Sequence, residues 1–216
     1  MCSRRALLFG LLLLALGAAQ VYGDEFLYTI GNNAAFTDGQ FLTTGDYAAA
    51  VALQPAPFDQ FYGDDDFGPD FSAIWTFSPA ALPFINAAYI TIGMWDHDAA
   101  ASGSQVASFV LNGTTDLTSA LDAALEAKGG QNLQYNVYTV AIPSSAFGAL
   151  RGGAASFALT LQGPGLGLDL GFGPETTNNG AGLVFSTLDL ETPEPGGFIL
   201  GGLGLLGLLG FARLRR

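Results

Sequence analysis

The chain has 216 residues, half of them apolar and only 12% charged, with 30 glycines and a formal net charge of −12. That composition excludes a disordered chain, and its acidity excludes a surface made for nucleic acid or anionic lipid. A lone cysteine, Cys2, excludes a disulfide framework within the chain.

Residues 1–23 read as a secretory signal peptide. Arg4 and Arg5 are the positive start, residues 6–16 the apolar middle, and Gly17, Ala18, Ala19 and Gly23 the small residues of a cleavage region. Signal peptidase is the partner this implies. Residues 24–192 then keep only Lys128 and Arg151 against 18 acidic residues, a net of −16. Such a surface suits cations or neutral ligands. About 170 residues are enough for one core and too few for two, so residues 24–191 are expected to form a single domain.

Residues 26–30 fit a first strand, closed by Gly31, Asn32 and Asn33. Residues 37–71, broken by glycine and proline, predict short strands and long loops. Trp75 and Phe77 alternate with Thr76 and Ser78, a strand stopped by Pro79. Ala88, Ile90, Ile92 and Met94 alternate with Tyr89, Thr91, Gly93 and Trp95, a strand with one apolar face. Residues 106–111 are a further strand, and Asn112-Gly113 is a hairpin-type turn signal.

Thr115 or Asp116 can cap a helix that places Leu117, Leu121, Ala124 and Leu125 on one face. Thr118, Ser119, Asp122 and Glu126 fall on the other, and Gly129 stands where a left-handed terminal residue belongs. This is the one helix of substance expected in the domain. Residues 135–142 predict a strand buried on both faces. Pro143, Ser144 and Ser145 open a helical turn that faces Phe147 and Leu150 inward. Phe157, Leu159 and Leu161 mark another strand, residues 163–180 a long loop, and residues 183–190 the last strand. Many strands, glycine-rich turns and few helices predict an all-β fold: an antiparallel, jelly-roll-like β-sandwich with one short inserted helix.

The chain ends on Pro193, Glu194 and Pro195, an uncharged apolar run over residues 196–212, and Arg213, Arg215 and Arg216. The prolines stop folded structure. An apolar run followed by a basic cluster is a membrane segment with a cytoplasmic C-terminus. The run is short for a permanent anchor and heavy in glycine. This order resembles the PEP-CTERM sorting signal, over residues 192–216 only. The resemblance implies recognition by an exosortase-type enzyme and a cut near Pro193–Pro195. It further implies passage from the inner membrane to the cell surface or extracellular matrix. Residues 88–182 resemble the β-sandwich ectodomains found ahead of such tails, which are similar to carbohydrate-binding modules.

Asp64, Asp65, Asp66 and Asp70 pack four carboxylates around Gly68, the oxygen-rich kind of loop that calcium takes. Asp96 and Asp98 join them if the two loops meet. The spacing is not that of an EF-hand, and a solvated acidic loop explains the same residues. Phe58, Phe61, Tyr62, Phe67 and Phe71 either stack on sugar rings or fill the core. His97, the only histidine, is expected in a loop, solvated or hydrogen-bonded. It has no cysteines to complete a zinc site and no Gly-x-Ser-x-Gly nucleophile. The expectation is a non-catalytic structural or binding module with no required cofactor, with calcium and extracellular polysaccharide as the ligands it suits. The alternative is a glycan-acting hydrolase that pairs Asp66 with Asp96 or Asp98.

Overall fold

Alternation sets the strands. Ala88, Ile90, Ile92 and Met94 are all buried along one side of β4 (Ala87–Trp95), because a strand turns successive side chains to opposite faces. The computed structural model describes residues 23–59, 61–62, 72–97, 104–162 and 181–193. In the first sheet β4 lies with β1 (Glu25–Gly31), β7 (Tyr135–Ala141) and β9 (Ala181–Glu191), in the order β1-β9-β4-β7. β2 (Phe61–Tyr62) pairs with the start of β9. The second sheet has the order β3-β8-β5-β6, from Ser72–Phe77, Ala155–Leu161, Val106–Leu111 and Thr115–Asp116. Every pairing is antiparallel. Two antiparallel sheets with few, short helices are consistent with the expected β-sandwich.

The inner faces share one core. Ile90, Ile92, Tyr138 and Leu188 from the first sheet cluster with Trp75, Phe109, Phe157 and Leu159 from the second. Trp75 stacks on Phe157 at 5.9 Å and on Phe109 at 6.2 Å. The turn at Asn112-Gly113 forms as its sequence predicts: both residues have positive φ, and the Thr114 amide donates to the Leu111 carbonyl.

The long helix, α2 (Thr118–Lys128), buries Leu121 and Leu125 and ends at Gly129 with φ 73°. Its start differs from expectation. The N-cap position is Leu117, which has no side-chain cap, and Asp116 instead accepts from the Thr118 amide. Nor are Thr118 and Asp122 on a purely solvated face. Thr118 Oγ1 accepts from the Phe109 amide at 3.0 Å, and Asp122 Oδ1 from the Gln105 amide at 2.8 Å. They satisfy backbone donors at and beside β5, an accounting that buried amides require.

A second helix, α1 (Thr44–Val51), lies where only strands and loops were expected. Thr43 and Asp46 form a reciprocal capping box at its start. The helical turn expected after Pro143 forms at Ser144–Ala146 and continues into α3 (Phe147–Leu150), with Leu150 buried and Phe147 packed on the core. Tyr47 and Val51 of α1 form a second core with Leu42, Trp95, Tyr135, Val184 and Phe185 on the outer side of the first sheet. Tyr47 stacks on Trp95 with ring centroids 4.5 Å apart.

This second core buries the end of β4 on both faces and does the same for the first half of β7. Beyond it Thr139 and Ala141 are exposed, so β7 is not buried on both faces throughout. The outer side of the first sheet is therefore covered at one end and open at the other.

The chain divides into Glu25–Glu191 and a unit made of its two ends, Met1–Asp24 with Thr192–Arg216. Within that end unit the Thr192 amide and hydroxyl both donate to the Asp24 carbonyl, at 2.9 and 3.3 Å. No helix among the described residues is long and apolar enough to cross a membrane.

Candidate functional site

Of the proposed calcium ligands, Asp64, Asp65, Asp66, Asp70 and Asp98 lie outside the described residues, as do Phe67 and Phe71. Asp96 is described. It has φ 59°, its amide donates to the Gln134 carbonyl, and its carboxylate accepts from the Leu133 amide. That carboxylate holds the turn before β7 against the end of β4. Among the described residues no group of three or more His, Cys, Asp or Glu is placed to hold a metal ion. Of the residues proposed for sorting, Pro193 is described and exposed, whereas Glu194, Pro195, Arg213, Arg215 and Arg216 lie outside the described residues.

Phe58 and Phe61 resolve toward packing. Phe58 is fully buried, edge-on to Trp75 at 6.0 Å, and Phe61 is edge-on to Trp95 at 5.4 Å. His97 departs from expectation. It is 1% exposed, and neither ring nitrogen has a hydrogen-bond partner. Burial pushes its pKa down to about 4, with Asp122 opposing the shift weakly. Its neutral ring sits near Tyr138, centroids 6.2 Å apart.

What the strands do assemble is the open end of the first sheet. Register places Thr29 opposite Thr187, Thr187 opposite Thr91, and Thr91 opposite Thr139. One row of threonine thus crosses all four strands, over roughly 14 Å at the usual strand spacing. Thr29 and Thr187 hydroxyls lie 2.8 Å apart, and those of Thr91 and Thr139 lie 2.9 Å apart.

The next row holds Leu27, Asp189, Tyr89 and Ala141, and the one after it Glu25, Glu191 and Ala87. Leu27 is 59% exposed. Asp189 is the unusual group of this face. Burial first, then like-charge repulsion from Glu25 and Glu191, raises its pKa to about 6. Its Oδ1 is buried without a hydrogen-bond partner. The face is thus hydroxyl-lined, with one aromatic ring and a carboxyl able to donate or accept near neutral pH. It offers hydrogen bonds and ring contact across a surface rather than a nucleophile in a cleft.

Neither the threonine row nor Asp189 stands out in the sequence. Each threonine occupies an outward position of a predicted strand, but alternation does not give the order in which strands pair. Compared with protein-family models, with curated proteins and with solved structures, the chain matches none.

Proposed function

We propose that the protein is exported, sorted through its C-terminal tail, and acts at the cell surface or in the extracellular matrix as a non-catalytic module that binds neutral polysaccharide. The observation that carries this is the four-threonine row on the open face of the first sheet. Its hydroxyls stand as two hydrogen-bonded pairs in one line across the sheet, the half-buried Tyr89 adds an aromatic ring of the kind that packs on sugar C–H groups, and Asp189 supplies a carboxyl beside them. A domain with 18 acidic and two basic residues repels polyanions, so the ligand is a neutral, hydroxyl-rich chain.

The jelly-roll reading belongs here too. Without β2, the pairs β1/β9, β3/β8, β4/β7 and β5/β6 follow one another like rungs of a single long antiparallel ribbon, rolled into two sheets. Fold alone assigns no ligand. The sorting half of the proposal rests on the PEP-CTERM-like order of residues 192–216, with signal peptidase and an exosortase-type enzyme as processing partners. Calcium remains a proposal on the charge of Asp64, Asp65, Asp66 and Asp70. A rise in melting temperature with calcium, not reproduced by sodium chloride of equal ionic strength, would support it.

Affinity electrophoresis of the secreted protein through neutral and anionic polysaccharides tests the binding half. Retardation by a neutral polymer, weakened about tenfold by Tyr89→Ala, is the expected result. Equal mobility of the two proteins in every polymer would reject it. Intact mass tests the sorting half: the exported form should start near Asp24 and lack residues 196–216.

A further inference from the structure

Among the described residues the second sheet ends on an unguarded strand, and the geometry points to its use: two copies of this chain join edge to edge through β3, antiparallel, with Ile74 facing Ile74 across a two-fold axis. Sheet edges present unpaired backbone groups, which proteins blunt with charge, proline, bulges, short strands or a cover. The other edges of this domain are blunted. On β7 the Val137 amide donates to Asp38 and its carbonyl accepts from Lys128, while Tyr135 bonds through its amide to Gln40 and through its carbonyl to Gly39. β6 has two residues, and β1 begins on Glu25, beside Asp189 and Glu191.

Among the described residues β3 has none of these devices. Its six residues, Ser72–Phe77, carry no charge, no proline and no bulge. No backbone hydrogen bond among the described residues reaches its outer side. Ile74, at its centre, is 68% exposed.

The pattern along β3 is complementary to itself. Its outward residues are Ser72, Ile74 and Thr76. Pairing about Ile74 sets Ser72 of one copy opposite Thr76 of the other. The hydroxyl pairs Ser72–Thr160 and Thr76–Ser156 would then continue across the axis. The same register keeps both buried faces on one side, giving an eight-stranded sheet over a double core. A closed two-fold contact of this kind leaves no β3 edge free for a third copy.

Charge selects the same place. Ser108, Val110, Ser156, Ala158 and Thr160 make the part of this outer face nearest β3 short and uncharged, with Asp116 of β6 at the opposite edge, in a domain whose net charge is −16. Two such domains repel each other. They can approach closely only where carboxylates are absent, and association should strengthen as salt shortens the screening length from roughly 14 Å at 0.05 M to 4 Å at 0.5 M. An interface held by ion pairs would respond in the opposite sense.

The test uses the full chain in mild detergent, with its mass in solution followed by light scattering against concentration and sodium chloride. Dimer that increases with salt is expected. Ile74→Glu, which opposes two carboxylates, should shift the midpoint at least about tenfold toward monomer. Leu53→Glu should leave it unchanged, because Leu53 is 96% exposed on a different segment. Register is read with Cys2→Ser as background. Ile74→Cys should cross-link to itself under mild oxidation, whereas Thr76→Cys alone should not, its partner being Ser72. Dimers that survive Ile74→Glu, a chain that stays monomeric at every salt, or equal cross-linking at both positions would each overturn the proposal.

Discussion

The ring of Tyr47 lies against the backbone of Gly182, so close that a Cβ there would stand 2.5 Å from the tyrosine hydroxyl oxygen. That oxygen donates to the Leu183 carbonyl, and the ring stacks on Trp95. One missing side chain thus seats α1 on the first sheet. Gly182→Ala should unseat it, at a cost of roughly 1–3 kcal/mol for the overpacked contact. Urea unfolding measures the loss. Tryptophan emission should shift with it, as Trp95 loses its stacked neighbour.

His97 predicts an acid limb. Its folded pKa lies at about 4 against 6.5 for a free imidazole, because burial disfavours the charged ring. The unfolded chain therefore binds the proton first. The contribution is intact above about pH 6.5 and is lost as pH falls toward 4, to an extent of about 3 kcal/mol. The unfolding free energy of the protein minus that of His97→Phe, measured from pH 4 to 7.5, should fall by about 3 kcal/mol as pH drops from 6.5 toward 4. Parallel curves would show that the ring is not the cause.

Asp189 acts in the other direction. Its folded pKa is raised to about 6 from 3.8, so its favourable term is complete below the unfolded value and is lost as pH rises through 6. Asp189→Asn, which cannot ionise, should be more stable than the native chain at pH 7.5 and should lose that advantage near pH 4. The two groups thus oppose each other between pH 4 and 6.5, and each variant exposes the other's slope.

Leu121 tests whether α2 is part of the sandwich. It is fully buried in the main core. Leu121→Ala should cost roughly 2–5 kcal/mol, with thermal or chemical unfolding as the measure. A surface-sized change would mean that the helix packs independently.

Much of this architecture could be read from residue order. Strands β3, β4 and β8 follow from two-residue alternation, β5 and β9 from short apolar runs, and the turn before β6 from Asn112-Gly113. α2 follows from three leucines at helical spacing. α1 was hidden because its eight residues include three alanines and a glycine, which leave little amphipathic pattern. Its signal was the pair Thr43 and Asp46, an acid standing where the usual box has Glu or Gln. The burial of His97 was equally hidden, since flanking aspartates suggest solvent while tertiary packing decides. The threonine row needed pairing order, which alternation does not contain.

That pairing order also has a consequence for how the protein is made. β9 is the last of the described strands, yet it lies between β1 and β4, and Thr29 meets Thr187 across 158 positions of sequence. While the C-terminal part is still on the ribosome or in a translocation channel, β1 has no neighbour to bond and the first sheet has a gap at its middle. Contacts this distant in sequence form slowly. The domain therefore closes only after residue 191 has emerged. The strand that arrives last among those described is thus the keystone of the fold.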